Sequence, residues 1–301
     1  MFSSVAFIVN PIAGSTKAGA VIADVSRRLA RAGGRSRILR TSGPGHAVTL
    51  SRAVEDNVDL IVGVGGDGTA REIATGRLGS PKPISLLPAG TENLLACHLG
   101  YDLSAACLWS CITRGIVRPF DAGLANGRCF LCVAGAGFDA EVVVRVTRAR
   151  RGHITRADYF WPMWRTFWEY RFAPIHVVAD GLTLFEGRGL VMIGNIPRYG
   201  MGLRILRDAR HDDGLLDVCI YPCRGQGPLL VHSFFTAIRR HVERRDVIYR
   251  RARTLRIESP RPLPLETDGD CAGTLPAEIE AVPAALRFCV PPQQTSDEQG
   301  K

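Results

Sequence analysis

Apolar and polar positions along the first 120 residues change period in a regular order. The run VAFIVN (5–10) is apolar on both faces and reads as a strand. Between 21 and 32, Val21, Ile22, Val25 and Leu29 recur at the spacing of one helical face. Residues 35–41 then read as a strand, 46–56 as a helix and 58–66 as a strand. A helix over about 70–76, a strand over 83–90 and a helix in ENLLACHLG complete the run. Leu60-Ile61-Val62 is apolar on both faces, as a strand covered on both sides of a parallel sheet requires. The repeat predicts an α/β fold with a doubly wound, mostly parallel sheet and right-handed crossovers.

From about Pro119 the rhythm changes to short strands: CFLCVAG, IHVVADG, LTLFEG, GLVMIGN, LLDVCIY, TLRIES, LPLETDG and ALRFCV. Asp180-Gly181 reads as the turn of a hairpin. Helical stretches interrupt near 156–171 and 226–241. The expected division is an α/β domain over 1–122, a largely antiparallel β domain over 123–290, and a polar, disordered tail over 291–301.

A hydrophobic content of 46% over 301 residues supplies a substantial core. No apolar run reaches the roughly 18 residues that span a bilayer. VAFIV is too short for a signal-peptide core and no basic flank precedes it, so an intracellular protein is expected. Nine Cys, an odd number, argue against a disulfide framework. Cys129/Cys132 and Cys219/Cys223 lie in strand-like runs and are expected to be small buried hydrophobes, not zinc ligands. Net charge is +9, carried almost wholly by Arg: eight fall between Arg239 and Arg256, six between Arg148 and Arg171. The surplus suits nucleic acid, anionic lipid or a phosphorylated substrate, and equally a solvated face. No nucleic-acid recognition motif accompanies it, so no nucleic-acid partner is expected.

Four Gly-containing loops fall where strands end and helices begin: Asn10-Pro11-Ile12-Ala13-Gly14, Thr41 to His46, Gly65-Gly66-Asp67-Gly68-Thr69, and Pro88 to Asn93. In an open parallel sheet this edge holds the ligand. Amides at helix starts attract phosphate, and glycine lets the backbone approach closely. Neither a Walker lysine loop nor a G-x-G-x-x-G dinucleotide fingerprint is present, so a different kind of nucleotide site is expected.

These residues carry a resemblance. Asn10-Pro-x-x-Gly14, Thr41 with Gly45-His46-Ala47, Gly65 to Thr69 with Glu72 after it, and Gly90-Thr91-x-Asn93 resemble the diacylglycerol kinase catalytic-domain family. That family includes sphingosine, ceramide and bacterial lipid kinases. AGAGFDAEVV (134–143), DARHDDGLLDV (208–218) and LETDGD (265–270) are similar to its later segments, in the family's order. The resemblance implies an ATP-dependent lipid kinase using Mg²⁺. It assigns Asn10, Pro11, Gly14, Thr41, Gly65, Gly66, Asp67, Gly68, Thr69, Glu72, Gly90, Thr91 and Asn93 to the nucleotide. Asp67 is expected to act through Mg²⁺ or the acceptor hydroxyl, because a carboxylate and a phosphate repel. Asp67→Asn should then abolish turnover and leave nucleotide binding largely intact. Asp268 and Asp270 resemble the family's late Asp-Gly-Glu, which takes the acceptor's proton, with the second acid one methylene shorter here. Asp213 and the Leu215 carbonyl resemble a second metal site, and Asp121 an acid that joins a water–Mg²⁺ network. The family's frequent Asn-Asp is Asn93-Leu94 here, which weakens assignment to the diacylglycerol-specific branch.

TRADYFWPMWRTFWEYRF (155–172) holds Trp161, Trp164 and Trp168 among Arg residues, which suits a lipid headgroup boundary or a packed core. Expected partners are ATP, a lipid alcohol and the anionic surface of the inner membrane, approached from the cytoplasm. A homodimer stays open. The alternatives are a soluble-substrate kinase of the NAD-kinase kind, which shares the Gly-Gly-Asp-Gly loop, and a non-catalytic nucleotide-binding protein.

Overall fold

The computed structural model describes residues 1–13, 16–149 and 159–292. The chain separates into two compact units, Met1–Pro119 joined by the segment from Leu286 onward, and Phe120–Ala285. The division falls close to residue 122, but the last strand is shared between units. Most of the expected tail, from residue 293, lies outside the described residues.

The first unit runs β1 (Ser4–Val9), α1 (Thr16–Arg31), β2 (Arg35–Arg40), α2 (His46–Arg52), β3 (Leu60–Gly65), α3 (Asp67–Arg77), β4 (Ile84–Pro88), α4 (Leu94–His98) and α5 (Ala105–Arg114). Its strands are parallel in the order β4-β3-β1-β2, with Phe7 level with Val62 and Val62 level with Ser85. Leu60, Ile61, Val62 and Val64 are fully buried, as a central strand covered on both faces must be. Residues Ala18, Val21, Ile22, Val25 and Leu29 form the buried stripe of α1. The sequence reading missed α5, although its signals are local. The Ser104 side chain accepts from Cys107 N at 3.1 Å as an N-cap, and Leu108, Cys111 and Ile112 follow at helical spacing.

The second unit runs β5 (Ile116–Ala125), β6 (Arg128–Phe130), β7 (Val133–Ala136), α6 (Phe138–Ala149), α7 (Phe160–Glu169), β8 (Pro174–Ala179), β9 (Leu182–Gly194), β10 (Leu216–Pro222), α8 (Gln226–Ala237), β11 (Ile248–Ala252), β12 (Thr254–Glu258), β13 (Pro264–Thr267), β14 (Asp270–Thr274) and β15 (Ala277–Val290). Its strands pair antiparallel in the order β14-β13-β7-β9-β8-β12-β15, and β10 pairs with both β9 and β11. The end of β15 belongs to the first unit, where Phe288 pairs with Ile84 of β4 in parallel. Asp180 and Gly181 both have positive φ, 48° and 80°, the signature of the tight hairpin turn expected there. Phe130, Ile175, Val177, Val191, Ile193, Val218 and Ile257 fill the core of this unit.

Two differences from the sequence reading have local causes. The expected strand over 129–135 is broken at Leu131-Cys132, where the amides turn to a side chain described below. Residues 138–149 form a helix that the sequence reading lacks. Val142, Val143 and Val144 are β-branched and read as strand, but packing of Ala140, Val142, Val143 and Val146 overrides that preference. None of the nine Cys forms a disulfide, and Cys129, Cys132, Cys219 and Cys223 are buried.

Candidate active site

In the first unit the loops at the strand ends are tied to one another. Asn10 Nδ2 donates to Thr69 Oγ1 at 3.1 Å, and Asn10 Oδ1 accepts from Ile12 N. Ala89 N donates to Gly65 O at 2.9 Å. A Cβ on Gly90 would lie 2.5 Å from Gly66 Cα, and one on Gly65 would lie 2.4 Å from Thr69 Oγ1. Glycine is therefore required at both places by close approach. Asn93 has a positive φ of 51° and closes its own loop: its Oδ1 accepts from Gly90 N at 2.9 Å and its Nδ2 donates to Gly90 O at 2.8 Å. Thr41 is buried and its amide donates to Val9 O, while Pro11 is exposed. Gly14 lies outside the described residues.

The first turn of α3, Asp67-Gly68-Thr69, carries the positive end of the helix. The crevice under the loop, lined by Gly65, Gly66, Asp67 and Asn93, measures about 10 Å³, roughly one water. That space is too small for a phosphate group.

Asp67, expected to act through Mg²⁺ or the acceptor hydroxyl, is held by backbone amides. Leu94 N donates to its Oδ2 at 2.9 Å and Leu95 N to its Oδ1 at 3.0 Å. The carboxylate caps α4, whose first amides otherwise lack partners. Glu72 does the same for α2: Gly45 N donates to its Oε1 at 2.8 Å and Ala47 N to its Oε2 at 3.1 Å. Two acids beside the loop edge of the parallel sheet are thus held by amides.

In the second unit, Asp268 is gathered by three amides. Leu131 N donates to its Oδ2 at 2.8 Å, and Cys132 N and Val133 N donate to its Oδ1 at 2.8 and 3.1 Å. Its φ of 50° and the φ of 78° at Gly269 make the tight turn between β13 and β14, and Asp270 opens β14. Beneath this turn Glu266 is fully buried. Its Oε2 accepts from Gly269 N at 2.9 Å, and its Oε1 has no partner. Gly135 lies opposite on β7, where a Cβ would come within 3.1 Å of Oε1. Burial pushes the Glu266 carboxyl well above the ordinary carboxylate range, and nearby Asp139 adds to the shift. Asp139, at the start of α6, is itself raised to about 6 by burial, against the pull of a 2.5 Å hydrogen bond from Tyr199 Oη.

The acids expected at a metal are also braced. Asp121 is buried; Gly214 N donates to its Oδ2 and Ala284 N to its Oδ1, both at 2.7 Å. With both oxygens on amides, Asp121 ties β5 to the turn at Gly214 and to β15. Asp213 Oδ1 accepts from Leu215 N at 3.1 Å, and its Oδ2 lies 3.4 Å from Arg251. Among the described residues no group of three or more His, Cys, Asp or Glu side chains gathers for a metal. By donor type, the Asp213 carboxylate and the Leu215 carbonyl fit Mg²⁺ completed by water.

Comparison with known proteins decides the family. The diacylglycerol kinase catalytic domain matches residues 4–125, and the YegS C-terminal NAD kinase beta sandwich-like domain matches residues 132–290. A diacylglycerol kinase of Mycobacterium tuberculosis is 34% identical over 251 residues, covering 80% of each chain. The chain belongs to the diacylglycerol kinase family. A diacylglycerol kinase of Bacillus subtilis is 25% identical over 90% of this chain and 91% of its own. The crystal structure of a putative diacylglycerol kinase from Bacillus anthracis superposes with a TM-score of 0.81 at 26% identity, covering 97% and 96% of the two chains. As a member of this family the chain is an ATP-dependent lipid kinase with an alcohol group as acceptor, and the NAD-kinase alternative is not favoured.

Within this kinase, the sequence motifs marked the loops but not how the acids are used. Glu266, Asp139 and Tyr199 were not singled out. Asp139 lies within AGAGFDAEVV and Glu266 within LETDGD, while Tyr199 lies in none of the family-like segments.

Proposed function

We propose that the kinase phosphorylates a diacylglycerol-like lipid at an anionic membrane surface, using ATP with Mg²⁺. The observation that carries this reading is the set of interlocked loops at the sheet edge of the first unit, Asn10 to Thr69 and Gly66 to Gly90, in a chain of this family. The ATP phosphates lie against the first-turn amides of α3, with Asn10, Thr41, Thr69 and Thr91 around them. Asp67 and Glu72 fix the neighbouring helix starts, so the amides are in place before the nucleotide arrives. Asp268 and Asp270 serve the acceptor hydroxyl, and the amides of 131–133 fix the first of them. A second, structural Mg²⁺ would be held at Asp213 and Leu215, while Mg²⁺ carried with ATP would neutralise phosphate charge in the transfer.

The exposure of α7 supports the membrane reading over the core reading. Trp161, Trp164 and Trp168 are 67%, 50% and 62% exposed. Among the described residues no helix is long and apolar enough to cross a membrane, so contact would be peripheral. Labelled ATP offered with diacylglycerol, phosphatidylglycerol, a sphingoid base, ceramide and NAD tests the proposal. Label on diacylglycerol above the others is expected. Label on NAD alone, or on no acceptor, overturns it.

A further inference from the structure

A cavity of about 710 Å³ opens in the second unit where the end of α7, the start of β8, β9 and the start of α8 meet. Arg171, Arg188, Arg224 and Arg261 line it, each from a different segment. Among the described residues none of these four guanidinium groups has a hydrogen-bond or ion-pair partner. Arg elsewhere on this surface is commonly paired, as Arg145, Arg165 and Arg244 are. The one acid on the wall, Glu169, is taken: Arg145 Nη1 lies 2.6 Å and Arg165 Nε 2.8 Å from its oxygens. Tyr170, also on the wall, is 8% exposed and its hydroxyl is buried without a partner. Four like charges around one concavity repel, and a buried hydroxyl without a partner is uncommon. An anion relieves the first. Guanidinium groups match phosphate oxygens in bidentate pairs. The volume lies within the range of roughly 300–1,000 Å³ of ligand pockets and exceeds what a bare phosphate needs.

The rim of the cavity selects the source of the anion. The exposed Trp residues of α7 stand on one side. On α8, Leu230 and Phe234 recur at a four-residue spacing that Ile238 continues just past its end, at 58%, 61% and 45% exposure, an unpartnered apolar stripe. Gln226 Nε2, at the start of α8, donates to Phe167 O at 3.1 Å and Tyr170 O at 3.4 Å, so the two helices are fixed to each other. A soluble anion has no use for two exposed apolar stripes beside its site. A lipid headgroup does, because tryptophan and leucine side chains enter the boundary between headgroups and acyl chains.

We propose that this arginine cavity binds the phosphodiester headgroup of an anionic glycerophospholipid while α7 and α8 lay their apolar stripes into the surrounding bilayer. The proposal rests on the membrane reading above and deepens it; it does not depend on turnover. The test is co-sedimentation of the full chain with phosphatidylcholine vesicles, with and without phosphatidylglycerol. The pocket variant is Arg188→Gln/Arg224→Gln. The control, Arg31→Gln/Arg52→Gln, removes the same charge from the first unit. Thermal melting confirms that each variant is folded. The pocket variant should lose affinity for phosphatidylglycerol vesicles by about thirtyfold, from two basic groups at an anionic surface, and the control several-fold less. Equal loss in both variants would mean general charge attraction and overturn the proposal. So would an unchanged pocket variant, or inorganic phosphate binding that needs Arg188 and Arg224 while vesicle binding does not. If Trp164→Ala/Trp168→Ala abolishes vesicle binding and the pocket variant keeps it, the membrane reading stands and this site falls.

Discussion

In the first unit, Asp67 and Glu72 end on backbone amides of the helices that follow, with every carboxylate oxygen taken by a donor. In the second, Glu266 is fully buried with one oxygen unpartnered, beside an Asp139 raised to about 6. The difference lies in the supply of donors. The starts of α2 and α4 offer free amides, so an anion is stable there and stiffens the loops around it. Beneath the Asp268-Gly269-Asp270 turn, only Gly269 N reaches Glu266, and burial favours the neutral acid. One unit holds its acids as anionic braces on amides. In the other, burial pushes the carboxyls under the Asp268–Asp270 turn toward the protonated form.

The largest break in this contrast is expected from Gly90→Ala. Its Cβ would meet Gly66 Cα at 2.5 Å, and both partners are backbone, so a loop must move. Loss of about 1–3 kcal/mol of stability and of measurable ATP binding is expected, by thermal melting and calorimetry. Wild-type values for both would refute the close approach as a requirement.

Asp67→Asn should come next, at about 2 kcal/mol, because an amide NH₂ would face the N–H of Leu94 or Leu95. Turnover should be lost. A Tm equal to wild type would mean that the carboxylate contacts metal or acceptor and is no brace.

The proton under the second turn gives a pH signature. A carboxyl raised in the folded state binds more protons folded than unfolded, so its favourable contribution is full below the unfolded value. That contribution is lost as pH rises through the folded one. For Asp139 the window runs from the ordinary value of 3.8 to about 6, and for Glu266 it opens upward from the ordinary 4.5. Stability of wild type should therefore fall across this range, by up to about 1.4 kcal/mol per pH unit for each group. Glu266→Gln, neutral and isosteric, should flatten the slope and leave stability near wild type at low pH. A slope unchanged in this variant would mean that Glu266 is ionised when folded.

Ser104→Ala is the smallest change. It removes the neutral cap of α5 and should cost about 1 kcal/mol in melting experiments, less than the charged cap at Asp67. A larger cost than at Asp67 would overturn that ranking.

The parallel sheet, the loop positions and the aromatic helix were legible in the sequence, because each rests on a local pattern; the exposure of that helix was not. Leu60 to Val64 announces a covered strand, and the glycines at 65, 66 and 90 mark backbone that approaches something. What they approach was hidden: Gly66 meets Gly90, and Asp67 reaches amides 27 and 28 residues away. Such pairings exist only once the sheet has brought the loops to one edge. The helix at 138–149 was hidden for the opposite reason, since Val142 to Val144 state a local preference that packing overrules. Glu266 looked like an ordinary strand acid. Its burial depends on Gly135 leaving room across the sheet, 131 positions away in the chain.

On the reading proposed, the first unit holds ATP and the acid turn of the second serves the acceptor. Asp268→Asn/Asp270→Asn separates the two roles, with ATP binding and transfer of label to diacylglycerol measured on the same preparation. ATP affinity equal to wild type and no labelled lipid are expected. Retained transfer, or ATP affinity lost in a variant that remains folded, would contradict that reading.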